Sequence, residues 1–221
     1  LSRGRNEEIV SRKREVVSAM VHDVLRARLD AGDGAPFSLS QVGPADRAAE
    51  IEFNYPLPAW PDPSGRDEGQ RRTTAAVADA IRRHWPAGGR KELFLKSIEH
   101  WNVMVPQGYM TGFMDLLVRH HGRYFILDWK SNRCDGKFGP ADLDAEMARH
   151  AYFIQYLIYT VAANRHLGET LGSAYSYEAN FGGAFYVFLR GARQGTGDGI
   201  YFDRPAEGLV NAMSTILGDF T

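Results

Sequence analysis

A mixed α/β or α+β fold is what the sequence predicts, on three observations. Residues 108–132 alternate apolar and polar around a His-Gly pair, the pattern of a β-hairpin. Residues 145–167 carry apolar side chains at helical spacing. Residues 182–191 form an apolar run of strand length. Strands and helices mix along the chain, and a central mixed sheet flanked by helices is the architecture that buries both.

In chain order, residues 5–29 repeat Ile9, Val16, Val17, Met20, Val21, Val24 and Leu25 at roughly helical spacing, and the Gly-rich stretch 30–36 ends that helix. Residues 49–57 alternate and predict a strand. Residues 58–72 are polar and rich in Pro and Gly, a loop; 74–85 predict a short helix. Residues 92–105 are ambiguous and lean to a strand near their end. After the hairpin, 134–144 predict a loop, 145–167 one helix closed by Gly168, 199–205 a short edge strand, and a last helix runs to about Leu217. No internal repeat or low-complexity tract interrupts this order. The whole reads as one domain, a helical part over 1–45 and a core over 46–221.

Composition narrows the function classes. The 221 residues are 44% hydrophobic and 12% aromatic, enough for a sizeable core. The net charge is −1, so any nucleic-acid contact must come from a local groove rather than from global basicity. One cysteine, Cys134, excludes an internal disulfide and a four-cysteine iron–sulfur cluster. No run of about 18 apolar residues predicts a membrane span. The first residues are charged, unlike a signal peptide, and the chain begins with leucine; it is expected to be a piece of a longer chain.

The hairpin holds the chemistry. With the turn at His121–Gly122, opposed residues have numbers that sum to 243, so Asp115 would face Asp128, and Phe113 would face Lys130. Strict alternation would put Asp115, Asp128 and Lys130 on one face, and Leu116, Val118, Phe125 and Leu127 on the other. Two carboxylates about 5 Å apart repel by about 3 kcal/mol at an effective dielectric near 20. A retained proton or an intervening cation removes that penalty. Hard oxygen donors that leave positions for water and phosphate suit Mg²⁺. On residues alone two readings stay open: a metal site, or a solvated sheet face on which Lys130 pairs with either acid.

Asp115, followed at twelve residues' distance by Asp128-Trp129-Lys130, resembles the PD-(D/E)XK nuclease core, and "GFMDLLVRHHGRYFILDWKSN" resembles the C-terminal nuclease domains of the bacterial RecB family. The likeness continues through "AEMARHAYFIQYLIYTVAANRHL", "NFGGAFYVFLRG" and "GIYFDRP", and upstream in "EIEFNYPLP". It implies a restriction-endonuclease-like core with Asp115 and Asp128 as metal ligands, the Trp129 carbonyl as a further ligand, and Lys130 as the catalytic lysine. Glu52 falls where the family has an acid on its first strand. Gln155 and Tyr159 match the family's Gln-x-x-x-Tyr motif, on one helix face with Tyr152.

The implied activity is Mg²⁺-dependent hydrolysis of DNA phosphodiesters, with Mn²⁺ as a substitute, in a bacterial cytoplasmic helicase–nuclease of the exodeoxyribonuclease V type. Implied partners are DNA, single-stranded or at unwound duplex ends, and RecC- and RecD-like subunits. The family's metal-binding histidine belongs on a helix well before the first strand; His22 lies too close to Glu52 to be it, so the ligand is expected upstream of Leu1 and the isolated piece is expected to be weak or inactive. Lys96, Arg133, Lys137 and Arg149 are candidate phosphate contacts, whereas Arg12–Arg14 and Arg71–Arg72 read as solvated faces. The rival reading is a catalytically incomplete module that guides DNA and docks subunits, which has no use for two opposed acids. A phosphatase acting on small substrates is more remote, since no P-loop is present.

Overall fold

The computed structural model describes residues 2–57, 66–100 and 108–218. A five-stranded mixed sheet organises them, in the order β1 (Arg47–Leu57), β2 (Gly108–His120), β3 (Arg123–Lys130), β4 (Phe181–Phe188) and β5 (Ile200–Asp203). β3 and β4 run parallel; the other neighbours are antiparallel. The helices are α1 (Ser2–Arg26), α2 (Arg66–His84), α3 (Gly89–His100), α4 (Pro140–Arg149), α5 (Tyr152–Leu171), α6 (Tyr177–Asn180) and α7 (Glu207–Ile216). None of the described helices is long and apolar enough to cross a membrane.

The hairpin turn lies where the sequence puts it. His121 and Gly122 both have positive φ, at 48° and 77°, as a type I′ turn requires, and this twist matches that of the flanking strands. The sum of 243 holds from His120–Arg123 to Leu116–Leu127.

Both faces of the central strands β3 and β4 are buried, so they read as nearly continuous apolar runs. Ile126, Ala184, Tyr186 and Phe188 face the larger core, beneath Ile81 of α2, Phe94 of α3, Met147 of α4, Phe153 and Tyr156 of α5 and Val210 of α7. Phe125, Leu127, Phe185 and Val187 face the second core, covered by Val24 of α1 and by Ala27, Leu29, Phe37, Leu39 and Val42 of the following segment. Each fully buried Phe or Leu contributes about 1.5–3 kcal/mol, which is why the strands hold their faces.

Four expectations change. The helix α2 starts at Arg66, inside the stretch read as a loop; residues 58–65 lie outside the described residues. Residues 89–100 are helix α3, not a strand, because Phe94 and Ile98 bury at helical spacing; residues 101–107 lie outside the described residues. The single helix over 145–167 is two. The helix α4 begins at Pro140, whose ring suits a first helical turn, and Ala151 adopts a left-handed conformation (φ 52°) that ends it and re-aims α5. α5 then runs past Gly168 and ends at Gly172, whose φ is 55°.

Gly183 marks the tightest backbone approach in the sheet. It has φ 127°, beside the register shift between β3 and β4, and an added Cβ would lie 2.9 Å from the Asp203 carbonyl oxygen of β5. Gly183→Ala is therefore expected to destabilise the fold by at least about 2 kcal/mol, from strain plus overpacking. A urea melt at neutral pH measures it; an unchanged midpoint would contradict the packing described here.

Candidate active site

The strands β2 and β3 part company at the acids. Their ladder ends at Leu116–Leu127, and Asp115 and Asp128 do not form the next rung that the sum of 243 predicts. Instead the Trp129 N–H donates to Asp115 Oδ2 at 2.9 Å, a carboxylate standing where a strand carbonyl would otherwise accept. From there β2 continues against β1 alone, and β3 continues against β4, with Asp128 beside Tyr186 and Lys130 beside Phe188. The two acids sit in the fork of a Y.

Strict alternation also fails at this point, so an unbroken ladder is not what brings Asp115 to Asp128 and Lys130. Leu116 and Val118 face the second core, yet Met114 faces the larger one. On β1 the partners follow: Ala49 lines the groove against α1, while Ile51 packs on the larger core. The change of face occurs at Glu50, whose φ is 53°, opposite Asp115 in the one step that the β1–β2 register skips. Asp115 borders the groove against α1 with Leu116 and Trp129, but its carboxylate turns to β3, where Oδ2 accepts the Trp129 N–H, while Lys130 reaches the α5 side. The Asp115 carboxylate still lies close enough to raise the pKa of Asp128, and both acids act on Tyr159 and Tyr186.

Asp128 and Lys130 are 3% and 9% exposed, an ion pair placed inside the sheet. Lys130 Nζ lies 2.5 Å from Asp128 Oδ2, a close buried ion pair, and the lysine lowers the carboxyl pKa by charge and by hydrogen bonding. Nζ donates to Gln155 Oε1 at 2.9 Å and sits 4.0 Å from the centre of the Tyr152 ring and 4.9 Å from that of Tyr186. Gln155 is a bridge. Its carbonyl also accepts from the Tyr186 hydroxyl at 3.1 Å, and its amide donates to the Tyr159 hydroxyl at 2.9 Å. Tyr152, Gln155 and Tyr159 thus line one face of α5 and hold the ammonium from above.

Burial pushes the Asp128 carboxyl from its ordinary 3.8 up to about 6; Lys130 opposes this and Asp115 adds to it. Tyr159 is raised by burial, with its Gln155 hydrogen bond opposing and the two acids adding.

Other groups that complete the site were not singled out from the sequence. Tyr186 comes from β4, and only the parallel pairing brings it to Asp128. Asn132 donates to buried Glu146 at 3.2 Å and accepts from the Tyr152 hydroxyl at 3.3 Å. Glu146 also pairs with Arg149 at 3.1 Å and His150 at 3.0 Å, and His150 stacks on Tyr152. The "KSN" at the strand end was the one available signal; the long-range partners left none. Glu52 is exposed on β1 opposite Phe113, and no described contact ties it to Asp128 or Lys130. His22 is exposed on α1. Lys96, Arg133, Lys137 and Arg149 are all exposed, Arg133 and Lys137 just after β3 and Arg149 at the end of α4.

A mixed sheet that forks at two acids and buries a lysine on the next outward position defines a class, and comparison agrees with it. The chain belongs to the PD-(D/E)XK nuclease superfamily, whose family model matches residues 5–214. Within it, the chain is similar to the RecB subunit of the RecBCD enzyme: 32% identical over 189 residues to that of Escherichia coli K12, covering 83% of this chain and 14% of that protein. The Haemophilus influenzae subunit is 37% identical over 113 residues, 50% of this chain and 9% of that protein. The Mycolicibacterium smegmatis subunit is 28% identical over 222 residues, 92% of this chain and 20% of that protein. The chain therefore spans a fifth or less of the length of these relatives.

A raised carboxyl makes ionised Asp128 costly to the metal-free fold. Well below pH 3.8 the carboxyl is protonated in both folded and unfolded chains and has no effect; between 3.8 and about 6 the unfolded chain is ionised while the folded one resists, and above about 6 the full cost is present. Asp128→Asn is expected to stabilise the protein in EDTA by about 1–3 kcal/mol at pH 7–8, less whatever Lys130 loses with its counter-charge. The gain should shrink as pH falls through that window. Chemical denaturation at pH 7.5 and pH 4 checks it; a pH-independent difference would contradict the assigned burial.

Proposed function

We propose that this RecB-like nuclease domain hydrolyses DNA phosphodiesters with Mg²⁺ in a helicase–nuclease of the exodeoxyribonuclease V type, acting on DNA ends during break processing and recombination. The observation that carries the reading is the fork. Two carboxylates come close enough there to perturb one another, one of them buried and in contact with a buried lysine.

These residues fit a hard divalent ion. Among the described residues no group of three or more His, Cys, Asp or Glu is placed to hold one. Two carboxylates with a backbone carbonyl leave positions for water and phosphate, which is how Mg²⁺ is commonly held. In this reading Asp115, Asp128 and the Trp129 carbonyl hold the ion. When bound, it supplies positive charge that relieves the repulsion between the acids and draws electron density from the phosphodiester.

The chain's own part is positioning. Lys130, held by Gln155 and walled by Tyr152 and Tyr186, places a fixed positive charge where the phosphoryl oxygens gain negative charge during in-line attack and departure of the 3′ oxygen. Tyr159 keeps the Gln155 amide turned so that its carbonyl faces the ammonium. The apolar walls exclude water and strengthen that charge. Glu52 takes the weaker role of an acid on the first strand. Arg133, Lys137 and Arg149 would meet flanking phosphates, so binding should fall steeply with salt. RecC- and RecD-like subunits are partners that the RecB likeness suggests for a longer chain.

In the full-length chain, Asp128→Ala and Lys130→Ala are each expected to lower cleavage of linear DNA by about a thousandfold or more, and EDTA should abolish it. Circular dichroism should show both variants folded. Normal Mg²⁺-dependent cleavage by Asp128→Ala would overturn the reading.

A further inference from the structure

Past the fork, β1 and β2 continue as a two-stranded arm with two unlike faces. Ile51, Phe53, Tyr55, Met110 and Met114 turn one face into the larger core. The other carries Glu52, Asn54, Tyr109, Thr111 and Phe113, and runs down to Asp115 at its base. Tyr109 is 72% exposed and Phe113 53%; among the described residues they are the exposed large apolar side chains that lie outside α1.

Three observations say what this face accepts. First, residues 48–57 and 108–118 contain no lysine or arginine, and Glu52 stands opposite Phe113. A face with a carboxylate and no cation repels phosphates, yet its rings offer flat apolar surface to nucleobases. Second, the cations lie elsewhere, at buried Lys130 and at exposed Arg133, Lys137 and Arg149. Stacking surface and cations are thereby carried by different residues. Third, four residues of strand put the two rings about 13 Å apart. Adjacent bases in a duplex strand rise only about 3.4 Å and are already stacked on each other, so rings so spaced suit bases of an unstacked, extended strand. Phe113 is two residues, about 7 Å along β2, from Asp115.

We propose that Tyr109 and Phe113 form a two-ring stacking platform for the bases of single-stranded DNA, which leads the strand along the β1–β2 arm to Asp115 and Asp128. The proposal rests on the nuclease reading above and names the form of its substrate. It makes the arm the guide for bases and the lysine side of the fork the guide for phosphates.

The test uses the full-length chain and two oligomers of equal length and charge, an oligothymidylate and an abasic oligomer. Binding is measured in EDTA by fluorescence anisotropy, for the wild type and for Tyr109→Ala, Phe113→Ala and Phe113→Trp. Both rings are exposed, so the variants should melt like the wild type. Each alanine variant is expected to bind oligothymidylate about 10-fold more weakly, with Phe113→Trp near wild type and with abasic binding unchanged throughout. Equal wild-type affinity for the two oligomers, or alanine variants that bind oligothymidylate normally, overturns the platform. The latter result together with loss of a partner subunit on gel filtration would assign the rings to a protein interface instead. Cleavage of the same oligomers with Mg²⁺ is scored separately: none by the wild type would sink the nuclease reading, while the binding contrast in EDTA still decides the platform.

Discussion

An ammonium and a carboxylate two residues apart on one buried strand are the constraint around which this fold is arranged. Lys130 and Asp128 belong to a sheet with apolar cores on both faces, and removing either charge from water is expensive. The mutual attraction of the pair does not offset its burial, since the Asp128 carboxyl is still pushed up to about 6. The remainder of the solution comes from outside β3. α5 supplies Gln155 and the Tyr152 ring, and β4 supplies Tyr186. Helix placement, the parallel β3–β4 pairing and the Gln-x-x-x-Tyr spacing are all answers to one problem, how to keep a charge in an apolar wall. Such an arrangement sacrifices stability for a site held ready to act.

The fork is the second device. An ordinary antiparallel ladder would press Asp115 against Asp128 in the next rung. Splitting the ladder lets Asp115 accept a backbone N–H from Trp129, so its carboxylate also closes the sheet where the strands separate. One residue serves as both structural cap and candidate ligand. The left-handed Glu50 on the neighbouring strand is the counterpart that lets β1 change face with β2 and keep its pairing.

The hairpin, its turn and the strands β4 and β5 were legible because period-two alternation, a Gly at the turn and apolar runs are local signals. Tyr152, Gln155 and Tyr159 were legible as one helical face for the same reason. The Ala151 break was not: alanine is a good helix former and nothing beside it resembles a stop. The start of α2 was hidden by Gly69 and its polar neighbours, and α3 by a short segment whose burial is decided only when α4 and α5 arrive. At the site, residue types were readable but faces were not. Strict alternation assumes an unbroken ladder, and the single left-handed glutamate that breaks it has no composition signature. Tyr186 and Glu146 were invisible because their importance comes from long-range packing.

The Ala151 joint bears on how such a chain can diversify. Because α4 and α5 are separate cylinders, the start and length of α4 do not set the rotation of α5, and the tie between them at the site runs through Glu146, Asn132 and Tyr152. Insertions between Cys134 and Leu143, before Glu146 meets Asn132, can therefore remodel the outer rim with little displacement of Gln155. A continuous helix would have rotated Gln155 by about 100° for every residue gained.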